Sequence, residues 1–146
     1  MNKRLVGLLH FLLLPFPSPI KVLVYRHLLG YSVGRRVRVG LSIVSAGQCS
    51  LGDGVRIGHL NYISHIKQLE LGREVKIGHA NILLGGDRVV LGEGAFIGRF
   101  NEINSIINPL NANPATPELH VGREAVITAW HKIDYTDKVE IGESAI

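Results

Sequence analysis

Residues 51–104 read LGDGVRIGHLNYISHIKQLELGREVKIGHANILLGGDRVVLGEGAFIGRFNEIN, and this stretch decides the fold. An aliphatic residue followed by glycine opens each unit at Leu51, Leu71 and Leu91, so the units repeat every 20 residues. Within a unit an aliphatic residue recurs every six residues, as from Leu51 to Ile57. Neither a helix, with about 3.6 residues per turn, nor a simple strand alternation, with a period of about two, produces steps of six.

The spacing predicts a triangular parallel β-solenoid. Three six-residue sides and two extra residues make a turn of 20, in which each side is a short strand and glycine helps the chain round the corner. The step from Leu91 to Val121 is 30, so that turn carries a ten-residue insertion. We expect Leu51, Leu71, Leu91 and Val121 to form one inward stack. A leucine-rich repeat fits poorly, because its asparagine-containing consensus and helical half-turn are absent.

The [LIV]-G-x-x-x-x hexapeptides of residues 33–146 resemble those of the hexapeptide-repeat acyltransferases, whose fold is a left-handed parallel β-helix. The resemblance is greatest to the O-acetyltransferases of exopolysaccharide and lipopolysaccharide biosynthesis. It implies transfer of an acetyl or longer acyl group from acetyl-CoA to a hydroxyl of a sugar or glycan, in a homotrimer. Family members continue for several turns beyond the site histidine, so we expect residues 33–146 to be a C-terminally truncated β-helix domain.

One position of the repeat changes in a way that points to chemistry. The fifth residue of the second hexapeptide is asparagine in three turns, the last two being Asn81 and Asn101, and is His131 in the next turn. Equivalent positions stack in a solenoid, which predicts an asparagine ladder with His131 above it. The same turn has Thr128 in place of glycine and holds the only tryptophan, Trp130, which is a candidate substrate contact.

The resemblance implies that a histidine on the prism wall is the general base, and His131 matches. Imidazole suits this task because its ordinary pKa of about 6.5 leaves it neutral and basic near pH 7. Asn101 and Asn81 are the candidate oxyanion or substrate-binding amides, since an amide N–H can stabilise negative charge. Asp134 or Asp137 is the candidate that orients the imidazole.

A second column of histidines offers an alternative function. His59 and His79 occupy equal positions in successive turns, and Arg99 follows them. The zinc-dependent γ-class carbonic anhydrases share the β-helix but need a third histidine in an H-x-x-x-x-H pattern, where this chain has Leu84. No metal is therefore predicted. The zinc enzyme and an inactive scaffold remain alternatives, and the column itself either is solvated or faces a phosphate.

Charge is distributed unevenly along the chain. Residues 1–52 contain seven Lys or Arg and no acidic residue, whereas residues 53–146 contain nine basic and twelve acidic residues. This asymmetry differs from the uniform basicity of a nucleic-acid binder and favours contact with an anionic membrane surface. We expect a cytoplasmic protein, peripheral at the inner face of the membrane.

The front end predicts two short amphipathic helices joined by a proline elbow within residues 1–32. Its apolar block, Leu5–Phe16, has 12 residues, fewer than the about 20 that cross a bilayer. Ile20–Leu29 follows with helical spacing of its apolar residues. A cap packed on the body, an interfacial membrane segment and a cleaved signal are the three alternatives.

The insertion spans Asn104–Glu118, and its three prolines and four asparagines predict a loop. The resemblance implies that this loop completes a site between subunits; a solvated bulge is the alternative. Cys49 is the only cysteine, which excludes an intrachain disulfide, and we expect it to be a buried small side chain.

Overall fold

The computed structural model describes residues 3–105, 117–135 and 138–146. Short parallel strands wind round a triangular prism for about five turns, and two short helices precede them in the chain. The predicted left-handed parallel β-helix is confirmed.

The helices are α1 (Lys3–Leu13) and α2 (Ser18–His27). The strands are β1 (Ser32–Val33), β2 (Arg38–Val39), β3 (Ile43–Leu51), β4 (Arg56–Ile57), β5 (Tyr62–Leu71), β6 (Lys76–His79), β7 (Ile82–Leu84), β8 (Arg88–Leu91), β9 (Phe96–Arg99), β10 (Glu102–Asn104), β11 (Glu118–Val121), β12 (Val126–Ala129), β13 (Lys132–Asp134) and β14 (Val139–Ile141).

Each strand pairs in parallel with the strand one turn away, which builds three faces. The second face is a sheet of its own, in the order β12-β9-β6-β4-β2. The other two faces share a sheet because β3 and β5 run round the corner between them. The third face holds the first halves of β3 and β5 with β7, β10 and β13. The first face holds their second halves with β1, β8, β11 and β14.

The core of the prism is a set of aliphatic columns. Leu51, Leu71, Leu91 and Val121 pair in register on successive strands and are all buried, which confirms the predicted stack. Because each turn buries its neighbour's apolar face, stability accumulates turn by turn. A buried leucine of this kind typically stabilises a protein by about 2–5 kcal/mol relative to alanine.

The Ile-Gly glycines permit close approach of turns and do not bend the chain. A Cβ on Gly78 or Gly98 would collide with the carbonyl oxygen of the equivalent residue one turn later, Gly98 or Thr128. Neither glycine has a positive φ; at this corner the positive φ falls two residues later, at Ala80 and Phe100. The expectation that glycine turns the chain is therefore wrong at this corner.

The second helix covers the outer edge of the second face. Ser18 Oγ accepts a hydrogen bond of 2.8 Å from the Val39 N–H, and Lys21 Nζ donates to the carbonyl of Gly40. Lys21 is buried, and its desolvation lowers its pKa below the ordinary value. Since β2 is the last strand of its sheet, α2 supplies partners that the sheet edge would otherwise lack.

Candidate functional site

An asparagine ladder runs inside the corner between the second and third faces. Asn81 Nδ2 donates to Asn61 Oδ1 at 3.0 Å, and Asn101 Nδ2 donates to Asn81 Oδ1 at the same distance. Each Oδ1 also accepts the backbone N–H of the asparagine one turn later. Ser42 begins the ladder, because its hydroxyl accepts hydrogen bonds from the backbone and side chain of Asn61. The predicted stack of equivalent positions is present.

The ladder commits both amide hydrogens of each asparagine. The second Nδ2 hydrogen of Asn81 goes to the carbonyl of Gly98, and that of Asn101 goes to the carbonyl of Thr128. Both side chains are buried. An oxyanion needs a free donor, so this geometry supports a structural role for Asn81 and Asn101 in place of the predicted oxyanion contact.

His131 is the last residue of the ladder. Its backbone N–H takes part in the ladder, whereas its side chain lies outside the prism. Its N–H donates to Asn101 Oδ1 at 3.0 Å, which is the bond that an asparagine would make there. The imidazole is exposed, and its Nε2 lies 2.9 Å from Thr128 Oγ1. In the sequence Thr128 stands out only as the loss of a glycine, and the signal for this contact is a hydroxyl three residues before a histidine. Thr128 therefore contacts the candidate base.

The residue before His131 belongs to a row of strained corner residues. Leu60, Ala80, Phe100 and Trp130 have φ of 62°, 56°, 54° and 63°, a region that costs bulky side chains about 1–3 kcal/mol each. The Phe100 and Trp130 rings stack with centroids 4.6 Å apart and planes 12° apart. Trp130 is 76% exposed and Leu60 is 72% exposed. We name Leu60, Ala80, Phe100 and Trp130 the corner ridge.

Of the other residues predicted for this site, the structure describes some and not others. Asp134 is the exposed last residue of β13, paired in register with Asn104 of β10. Asp137 and most of the Asn104–Glu118 insertion lie outside the described residues.

Cys49 is buried as expected, and burial raises the pKa of its thiol to about 12, so the thiol stays neutral.

The second histidine column uses its ring nitrogens for backbone contacts. His59 Nδ1 accepts from the Leu41 N–H, and His79 Nδ1 accepts from the His59 N–H, both at 2.9 Å. Arg99 pairs in register with His79. Within the ranges that the structure describes, no three His, Cys, Asp or Glu side chains are arranged to hold a metal ion.

The first helix presents an apolar face to solvent. Leu5, Leu8, Phe11 and Leu12 are all more than half exposed, while His10 on the other side is buried against Tyr25. Burial lowers the pKa of His10 to about 4, and its Nε2 has no hydrogen-bond partner among the described residues. Neither described helix combines the length and the hydrophobicity that crossing a bilayer requires.

Comparison of the chain with models of protein families, with curated protein sequences and with solved structures found no match. The fold defines the class of protein, a parallel β-helix. One fold can carry many functions, so the function of this chain depends on the residues at its corners, above all on His131 and its neighbours.

Proposed function

We propose that this chain is an acyltransferase that moves an acetyl or longer acyl group from acetyl-CoA to a hydroxyl of a sugar or glycan. The observation that carries the proposal is the end of the asparagine ladder, where His131 keeps the backbone bond but exposes its imidazole. A position with only a structural role would continue with asparagine, as at Asn81 and Asn101. An exposed imidazole held by a neighbouring hydroxyl is instead suited to general-base catalysis.

In the proposed reaction His131 Nε2–H donates to Thr128 Oγ1, which leaves the lone pair on Nδ1. Nδ1 takes the proton of the acceptor hydroxyl as the hydroxyl oxygen bonds to the carbonyl carbon of the thioester. The C–S bond then breaks, and the imidazolium returns the proton to the departing thiolate. Thr128 is a positioning residue in this scheme, because it acts through the imidazole.

The partners and location belong to the same proposal. The corner ridge offers an apolar surface that a second and third copy of the chain would cover, which supports a homotrimer. Trp130, in that ridge, offers an aromatic surface next to the base in sequence. The basic front end and the exposed face of α1 support peripheral attachment to an anionic membrane surface from the cytoplasmic side.

The test is thioester consumption from acetyl-CoA with a panel of sugar and glycan acceptors. His131→Asn should fold normally, because the ladder bond comes from the backbone N–H, yet should lower kcat by about 10²–10⁴. His65→Asn is the matched control: His65 is also an exposed histidine, but lies on β5 away from the ladder.

Wild-type turnover by His131→Asn would remove His131 from the reaction. No acyl transfer by the unmodified chain with any acceptor would favour the inactive scaffold.

A further inference from the structure

A groove of about 650 Å³ lies on the second face, beside the elbow between α1 and α2. Its lining includes Gly40, Gly58 and Gly78, one from each of three successive turns, and residues 15–18 of the elbow. These three glycines form the glycine floor of the groove, and the space that a Cβ would take at each is filled by a carbonyl of the next turn. The groove lies apart from the residues assigned to acyl transfer, none of which lines it.

Three cations follow one side of the glycine floor. Arg38, Arg56 and Lys76 pair in register on β2, β4 and β6, which places them about 4.8 Å apart from strand to strand. All three are exposed, and none forms an ion pair with a carboxylate in the described part of the chain. The described lining contains no Asp or Glu. The groove thus concentrates positive charge that the fold does not neutralise.

Two imidazoles also line the groove. The rings of His59 and His79 stack with centroids 5.6 Å apart, and each Nδ1 accepts a backbone N–H. In a neutral imidazole the other nitrogen then carries the hydrogen, so each Nε2–H is a donor. Guanidinium, ammonium and imidazole N–H groups together form a donor set that suits phosphate oxygens.

The groove also has apolar walls. Phe16 of the elbow, Leu41 and Phe96 line it, and each side chain is more than a third exposed. Phe96 follows Lys76 in register along the second face. A bare phosphate ion would use the cations and leave these side chains in water. An alkyl chain attached to the phosphate would cover them, with a gain of about 25 cal/mol for each Å² of apolar surface removed from water.

We propose that this groove binds an amphiphile with a phosphate head. Its phosphate contacts Arg56, Lys76 and the imidazole column, and its chain packs on Phe16 and Phe96. The shared chemistry is a phosphate ester, whether it belongs to a lipid head group or to a free molecule. The groove shares no residue with the proposed acyl-transfer site. Its test measures binding alone, so the result does not depend on whether the chain transfers acyl groups.

The experiment is calorimetric titration in a phosphate-free buffer with three probes. Dodecyl phosphate below its micelle concentration tests the whole proposal, inorganic pyrophosphate tests the phosphate alone, and dodecyl maltoside tests the chain alone. Arg56→Gln/Lys76→Gln should weaken dodecyl phosphate binding at least tenfold. Arg123→Gln is the control, since Arg123 is also exposed but does not line the groove. The ring NMR signals of His59 and His79 should shift with dodecyl phosphate.

Several outcomes would overturn the proposal. Equal loss in Arg123→Gln would mean unspecific charge attraction, and unchanged binding in the double variant with a wild-type melting temperature would mean another site. Dodecyl maltoside binding as tightly as dodecyl phosphate would remove the phosphate from recognition. Pyrophosphate binding as tightly as dodecyl phosphate would remove the amphiphile and assign the groove to soluble phosphate compounds.

Discussion

At the scale of single residues, the asparagine ladder decides which side chains are structural and which is available for chemistry. Asn61, Asn81 and Asn101 are buried, and each Oδ1 and Nδ2 in the chain of bonds has a partner. A buried amide with all its hydrogen bonds made is stabilising, whereas a missing member leaves its partners unsatisfied in the interior. The ladder therefore stiffens one corner of the prism up to His131.

Replacing Asn81 by alanine should lower the free energy of unfolding by about 2–3 kcal/mol. The change removes the acceptor of the Asn101 backbone N–H and of one Asn101 Nδ2 hydrogen, and it removes the Nδ2 donor to the Gly98 carbonyl. Gln68→Ala is the matched control, since it breaks a similar amide–amide bond of 2.9 Å to Gln48 on the surface and should cost less than about 0.5 kcal/mol. Urea unfolding measures both values, and equal costs would contradict a buried ladder.

The sequence predicts the position of these residues better than their hydrogen bonds. The 20-residue spacing and the 30-residue step together place Asn81, Asn101 and His131 in register, because equivalent positions of a solenoid stack. The periodicity says nothing about which amide hydrogen meets which carbonyl. The hydrogen bonds depend on how closely neighbouring turns approach in three dimensions. Asn101 Nδ2 donates to the Thr128 carbonyl, so this hydrogen is not available to an oxyanion, and Thr128 Oγ1 contacts the His131 imidazole.

At the scale of elements, the N-terminal helices are held by polar groups that local sequence patterns do not reveal. Helical spacing and the prolines predict both helices within a few residues of their bounds. The docking of α2 depends on Ser18 and Lys21 reaching Val39 and Gly40, about 20 residues away in the chain. Such contacts are non-local, so amphipathic periodicity alone does not distinguish a packed cap from an interfacial membrane segment or a cleaved signal.

Buried His10 should make the attachment of α1 sensitive to acid. Its folded pKa is about 4 against an ordinary 6.5, so between these values the unfolded chain binds a proton that the folded chain does not. Stability should therefore rise with pH through this window and be complete above it. The free energy of unfolding should fall by about 3 kcal/mol between pH 7 and pH 4 on account of this residue.

His10→Leu should flatten that part of the pH dependence in urea unfolding, because the replaced side chain cannot be protonated. His27→Gln, at the exposed last residue of α2, should leave the pH dependence as in the wild type. The same slope in His10→Leu as in the wild type would mean that other groups cause the acid sensitivity.

At the scale of the whole molecule, the columns of the prism explain stability and its corners carry exposed apolar surface. In the corner ridge the side chains of Trp130 and Leu60 are exposed to solvent, and both residues have a strained backbone with a positive φ. Exposed apolar patches of this kind are typical of association surfaces. The proposed trimer predicts a mass in light scattering near three times the 16.0 kDa of one chain.

Leu60→Ser/Trp130→Ser should shift that trimer toward monomers, because it removes apolar area from the proposed contact. Leu23→Ser is the control, since Leu23 is also apolar and more than half exposed but lies on α2. A monomer mass for the wild-type chain at micromolar concentrations would contradict the trimer.

Membrane attachment should depend on both the charge and the apolar face at the front of the molecule. In a flotation assay the protein should float with liposomes that contain anionic lipid and should not float with liposomes of neutral lipid. Added salt should weaken the attachment. Leu8→Ser/Phe11→Ser should reduce flotation severalfold, because both side chains lie on the exposed face of α1. Ile82→Ser, an exposed apolar change on the third face, should leave flotation unchanged. Salt-insensitive attachment to neutral lipid would show that charge has no part in it.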